Sequence, residues 1–307
     1  MVTKGGGLSA CCRAKGGGLS ACCRASARLV LLLAPIALCA QRAPQRIVST
    51  APSITEMLYA LGLGDRVVGV TTYCRYPPEA QQKPKIGDYT SPNIEAIAAQ
   101  RPDLVIVPTN PIRLTERLRT MRLEVLEIDP QNLAALYNSF RIVGQAAGVP
   151  AAAARLADTV RAKVDEVRTR ASKLKPTKMM FVIGRAPNRL DGLVAVGRAS
   201  YLNEIIELAG GVNIFADAVA AYPAVSLEEV IARNPEVIVD MGDMSDTIGV
   251  TDQHKREVVG LWQRTATIAA VKDRRVFAVA SDIYVVPGPR AVDAAREFLA
   301  MLHPEAR

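Results

Sequence analysis

Residues 94–106 read Ile-Glu-Ala-Ile-Ala-Ala-Gln-Arg-Pro-Asp-Leu-Val-Ile, and residues 227–239 read Leu-Glu-Glu-Val-Ile-Ala-Arg-Asn-Pro-Glu-Val-Ile-Val. The two stretches align without a gap at a constant offset of 133 positions. Glu95 matches Glu228, Pro102 matches Pro235 and Asp103 matches Glu236. Each begins with apolar residues at helical spacing, turns at a proline followed by an acid, and closes on a β-branched run. That order predicts a short helix, a turn and a strand buried on both faces, as in a parallel sheet. Two copies in one chain predict two α/β lobes with mainly parallel sheets.

A weaker pair lies upstream of each copy. Residues 55–62 (Thr-Glu-Met-Leu-Tyr-Ala-Leu-Gly) resemble residues 203–210 (Asn-Glu-Ile-Ile-Glu-Leu-Ala-Gly). Both read as helices closed by a glycine C-cap. Residues 46–50, 66–70 and 123–128 are predicted strands of the first lobe, and residues 179–184 and 275–280 of the second. Residues 150–175 lie between the lobes. Leu156, Val160, Val164, Val167, Ala171 and Leu174 recur there at spacings of three and four, with charged residues between them. Pro150 suits a first helical turn and Pro176 cannot continue a helix. The stretch predicts one rigid amphipathic helix of about 36 Å, long enough to join one lobe to the other. The expected organisation is a leader over 1–45, an N-terminal lobe over 46–149, the connecting helix over 150–175 and a C-terminal lobe over 176–307. The two lobes are Rossmann-like, and a ligand cleft between them is expected at the carboxyl ends of the strands.

The first 45 residues read as processing signal rather than fold. Residues 4–14 (Lys-Gly-Gly-Gly-Leu-Ser-Ala-Cys-Cys-Arg-Ala) recur unchanged at 15–25. The paired cysteines lack the C-x-x-C spacing that brings two thiolates to one ion. Arg24 and Arg28, the apolar run over 29–38 and the small residues through Ala40 describe a secretory signal peptide. Cleavage near Ala40 is expected. Cys39 offers a lipid anchor as the alternative, although Leu38 before it is large for that pattern. The chain is thus expected outside the cytoplasmic membrane, in the periplasm.

Charge and composition exclude several classes. The formal charge of +8 on 307 residues includes Lys4, Arg13, Lys15, Arg24 and Arg28, all before residue 40. The rest carries 33 basic against 30 acidic residues, which leaves no clustered basic footprint for nucleic acid. No enzyme signature is present. Gly62-Leu63-Gly64 lacks the third glycine of a dinucleotide loop, and neither a Gly-x-Ser-x-Gly elbow nor a P-loop occurs. Asp240, Asp243 and Asp246 lack the Gly and Glu positions of a calcium loop and read as a solvated loop. His254 and His303 are the only histidines, too few for a zinc receptor. No catalytic residue and no resident cofactor or metal are expected.

Two α/β lobes on one stiff helix behind an export signal resemble the helical-backbone (class III) solute-binding proteins of ABC importers. The resemblance covers about residues 46 to 303. It is carried by Arg46-Ile-Val-Ser-Thr-Ala-Pro-Ser-Ile-Thr-Glu56, Tyr73-Cys-Arg-Tyr-Pro-Pro-Glu79, Ile86-Gly-Asp-Tyr-Thr-Ser-Pro-Asn-Ile-Glu95 and Tyr222-Pro-Ala-Val-Ser-Leu-Glu228. Gly210-Gly-Val-Asn-Ile-Phe215 and Ser281-Asp282 add to it. The tyrosine-bearing segments are most similar to the cobalamin-binding branch. The resemblance implies that a corrinoid binds between the lobes of a monomer. The loaded protein then docks on a permease dimer with its cytoplasmic ATPase. By position it assigns Tyr73, Tyr89, Tyr222 and Asp282 to the ligand, with Tyr76 and Tyr284 as neighbours, and Glu95 and Glu228 to permease arginines. Acids in a first helical turn are also favoured by the macrodipole, so each glutamate has a purely local explanation too.

Tyr89 and Tyr222 stand where that branch has tryptophans, and the stretch after Asp282 lacks its arginine. Haem or a ferric siderophore remains the alternative ligand. Haem would need a tyrosine or Cys74 on iron. A siderophore would need arginines such as Arg75, Arg185, Arg189 and Arg290, each read here as a solvated surface residue. An exported enzyme of unknown reaction is the alternative from another class.

Overall fold

The computed structural model describes residues 42–109, 114–242 and 251–306. The leader reading for 1–45, including the Cys39 anchor, therefore lies almost wholly outside the described residues. From residue 42 the chain forms β1 (Ile47–Ser49), α1 (Pro52–Ala60), β2 (Val67–Val70), α2 (Ile94–Ala99), β3 (Leu104–Pro108), α3 (Leu114–Thr120), β4 (Val125–Ile128) and α4 (Leu133–Ala146). Helix α5 (Pro150–Ala171) follows. The second half has β5 (Thr177–Gly184), β6 (Leu193–Ala195), α6 (Tyr201–Leu208), β7 (Gly211–Asn213), β8 (Ala224–Val225), α7 (Leu227–Arg233) and β9 (Val237–Asp240). It closes with α8 (Asp252–Trp262), α9 (Ala269–Lys272), β10 (Val276–Ala278) and α10 (Ala291–Leu302).

The first sheet has strand order β2-β1-β3-β4, and every pairing is parallel. In the second sheet β7, β5, β9 and β10 pair in parallel in the same relative order. The repeat seen in the sequence is thus a repeat of topology. The second sheet also carries an antiparallel ribbon. β6 pairs with the end of β5, and β8 pairs with β6. That ribbon makes the second sheet mixed rather than wholly parallel. All five residues of β3 are buried, as a strand covered by helices on both faces requires.

Helix α5 starts with Pro150 at its first turn and has Ser172 as C-cap, four residues before Pro176. Its 22 residues span about 33 Å, slightly less than expected from the sequence. Val160, Val164, Val167 and Ala171 are buried in a core shared with both halves of the chain. Burial of residues from both halves on one helix makes it a packed strut rather than a tether. Gly62 and Gly210 adopt φ of +75° and +84°, the left-handed conformation that ends α1 and α6.

At the α4–α5 contact the two helices approach closely through Gly144. A Cβ added there would lie 2.3 Å from the Ala153 Cβ. Gly144→Ala is expected to lower stability by about 1–3 kcal/mol through overpacking, despite alanine's better helix propensity. Thermal unfolding checks this. A melting temperature equal to or above wild type would show that the helices separate freely.

Candidate functional site

The proposed ligand residues sit in the connections that follow the strands. The loop after β2 is anchored by Cys74, which is fully buried. Its Sγ lies 3.1 Å from the hydroxyls of Thr55 and Thr71. Burial pushes the Cys74 thiol above its ordinary pKa, so it stays protonated. It is a pin for the loop and a poor thiolate for haem iron. With Cys74 turned inward, Tyr73 and Tyr76 on either side point out. The Arg75 guanidinium lies 5.8 Å from the centre of the Tyr73 ring.

Tyr89 lies in a tight loop closed by the Gly87–Pro92 bridge. The Asp88 carboxylate accepts from the Thr90 and Ser91 amides at 2.8 and 2.6 Å. Tyr222 is held on the antiparallel ribbon, where the carbonyls of its neighbours Ala221 and Pro223 accept from Gly197 and Ala195. Tyr89 and Tyr222 are themselves 133 positions apart, the offset of the repeat. Each stands four residues before a helix N-cap, Asn93 for α2 and Ser226 for α7. They are therefore equivalent residues of the two lobes. Burial raises the Tyr89 phenol pKa, and the Tyr222 phenol adds to that shift from the opposite lobe.

Four tyrosines are exposed at 39–44%: Tyr73, Tyr76, Tyr89 and Tyr222. Tyr284 corrects the sequence reading. It is 3% exposed and packs against Phe181 and Phe298, with ring centroids at 5.5 and 5.4 Å. The 3₁₀ turn Asp282–Tyr284 directs its ring into the core, so it belongs to the packing of α10 and not to a ligand surface. Tyr59, Tyr137 and Tyr201 are packing residues; the Tyr201 hydroxyl donates to the Tyr284 carbonyl at 2.7 Å.

Asp282 keeps a partly open position and pairs with Arg290 at 3.0 Å. Arg290 also binds Glu56 of α1 through both carboxylate oxygens and lies over the Tyr76 ring at 3.8 Å. Sequence reasoning missed Glu56, although a carboxylate flanked by Ile54, Met57 and Leu58 on one helix was a visible anomaly. Arg290 is not a solvated surface residue as expected. Arg185 is not either: it pairs with Asp240 at 3.0 Å, with the two side chains 4% and 0% exposed. Asp240 accordingly leaves the loop reading, and residues 243–246 lie outside the described residues. Arg189 is exposed and paired with Asp191. An open groove of about 940 Å³ beside α5 is lined by Glu56, Tyr76, Lys163 and Arg290. Tyr73, Tyr89 and Tyr222 do not line it.

Glu95 and Glu228 are the second residues of α2 and α7, exposed, and without an ion pair among the described residues. Ser226 and Glu229 form the capping box of α7, which leaves Glu228 with no role in the cap. Among the described residues no group of His, Cys, Asp and Glu is placed to hold a metal ion. No helix there is long and apolar enough to cross a membrane.

A parallel-sheet lobe and a mixed-sheet lobe joined by a packed helix, with an equivalent exposed tyrosine on each, define a two-lobed binding protein. The chain belongs to the periplasmic binding protein family, whose model matches residues 47–283. It is 28% identical to the vitamin B12-binding protein of Vibrio cholerae over 275 residues, covering 89% of this chain and 94% of that one. The vitamin B12-binding protein of Yersinia pestis is 33% identical over 227 residues, 73% of this chain and 79% of that one. The crystal structure of the periplasmic vitamin B12-binding protein of Vibrio cholerae superimposes with a TM-score of 0.72 at 27% identity, covering 86% of this chain and 98% of that one. The apo periplasmic heme-binding protein of Roseiflexus sp. RS-1 gives 0.73 at 29% identity, covering 86% and 99%. The helical-backbone family and the two-lobed α/β fold expected from the sequence are both borne out.

Proposed function

We propose that this protein is the extracytoplasmic substrate-binding subunit of an ABC importer, that it captures a cobalamin-type corrinoid between its lobes, and that it delivers the corrinoid to the permease dimer. The observation that carries the reading is the Tyr89–Tyr222 pair, equivalent exposed aromatics, one on each lobe at the 133-residue offset of the repeat. Flat phenol rings suit the faces of a macrocycle, and their hydroxyls suit its amide side chains. Relatives named as vitamin B12-binding proteins support the same ligand. The protein acts by binding and release, and it needs no resident cofactor. Because α5 is packed into both halves, closure is small and affinity comes mainly from a preformed site.

A haem ligand is the second reading, favoured by the similarity to the Roseiflexus protein. A tyrosine would then bind the iron. Calorimetric titration of residues 41–307 with cyanocobalamin, beside haemin, separates the two. Tight one-to-one cobalamin binding is expected. A Soret shift with haemin and silence with cobalamin would transfer the site to haem. Tyr89→Ala and Tyr222→Ala should each weaken cobalamin binding by about 2 kcal/mol, roughly 30-fold. Unchanged affinity in both variants would remove the tyrosine pair from the site.

A further inference from the structure

We propose that Glu56 and Arg290 form a charged latch between the lobes, positioning residues that set the lobe arrangement of the empty protein and hold Tyr76 and Asp282 in place.

Glu56 and Arg290 are separated by 234 positions and belong to opposite halves of the chain. Glu56 stands in the second turn of α1, and Arg290 is the residue before α10. The Arg290 Nε donates to Glu56 Oε2 at 3.0 Å, and its Nη2 donates to Glu56 Oε1. The same Nη2 pairs with Asp282. The Tyr76 ring, on the first-half loop, covers the guanidinium. One arginine therefore gathers a carboxylate and an aromatic from one half and a second carboxylate from its own half. The fork geometry of guanidinium suits such bidentate pairing, and lysine does not reproduce it. Gly288 permits the approach, since a Cβ there would lie 3.0 Å from Glu56 Oε2.

A buried pair in which one partner anchors each half cannot survive lobe separation. If the lobes parted, the Glu56 side chain, 2% exposed here, would have to be hydrated or protonated. The groups facing it are Arg290, Asp282 and Asp293 from the second half, and Lys163 of α5 lines the same groove. Burial pushes the Glu56 carboxyl up to about 7, with Arg290 pulling the other way. The sign is the same for folding and for closure of the lobes. A carboxyl raised in the fold contributes stability that is complete below its unfolded value and is lost as pH rises through about 7. A carboxyl whose pKa is higher in the closed arrangement than in an opened, hydrated one favours closure below about 7, so acid does not release the latch.

The latch is tested without ligand, by pulsed-dipolar distances between spin labels on ketone-bearing residues placed at exposed Arg119 and Arg256, one in each lobe. The wild type should show one narrow distribution. Glu56→Ala and Arg290→Lys should both give a broader, longer distribution, with far-UV dichroism unchanged. Distributions that superimpose on wild type in both variants would overturn the proposal. The inference bears on the site proposed above, but the readout does not depend on it. A wild type that ignores cyanocobalamin would refute the ligand and leave the latch standing.

Discussion

Asp240→Ala should cost about 3–5 kcal/mol of folding stability, the largest loss expected from one substitution in this protein. The Asp240 carboxylate accepts from the Arg185 Nε at 3.0 Å, the Trp262 Nε1 at 2.7 Å and the Gly242 amide at 2.7 Å. It thereby ties the ends of β5 and β9 to α8. Removing it strands a guanidinium only 4% exposed, together with a fully buried indole N–H. Burying an unpaired charge is costlier than never having formed the pair, because neither water nor another acceptor replaces the lost oxygens. Asp240→Asn keeps the shape and part of the bonding and should fall between the two. Urea unfolding followed by tryptophan fluorescence reports directly, since Trp262 is the only tryptophan. A loss below about 1 kcal/mol with an unchanged slope would show that solvent reaches Arg185.

The second large effect concerns partner binding. Glu95→Ala combined with Glu228→Ala should weaken docking on the importer about a thousand-fold, taking about 2 kcal/mol for each charge. The argument rests on the role proposed above and on symmetry. The two glutamates occupy the second position of equivalent short helices, one in each half, exposed and unpaired among the described residues. A like pair of carboxylates at matching places suits two equivalent cationic contacts on a permease dimer. Neither residue belongs to the tyrosine set, so ligand affinity should be unchanged in the double variant. Binding to the reconstituted transporter and stimulation of its ATPase measure the first effect, and calorimetry the second. Docking at wild-type strength would remove both glutamates from the interface. Lost ligand affinity would mean that they support the cleft instead.

Much of the architecture was legible before any coordinates. The gapless repeat at 133 positions announced two lobes of one design, and the spacing from Leu156 to Ala171 announced the helix between them. Both are short-range signals. Helix period, β-branched runs, Pro150 and the glycine caps act on neighbouring residues, so local order is enough to read them. The same offset carries Tyr89 onto Tyr222, which is why their equivalence is present in the letters.

What the tertiary structure alone decided lies in where side chains point and in pairs distant along the chain. Tyr284 lies two positions from Asp282, yet a 3₁₀ turn sends its ring into the core against Phe181 and Phe298. Arg185 and Asp240 are 55 positions apart, and Glu56 and Arg290 are 234 apart. Arg185, Asp240 and Arg290 each looked like an ordinary solvated charge, because the energy of a buried ion pair depends on a partner and a dielectric that only the folded chain assembles. Sequence periodicity determined the elements and their repeat. Burial, which is a property of the whole packing, determined which charges became structure and which tyrosines remained free to meet a ligand.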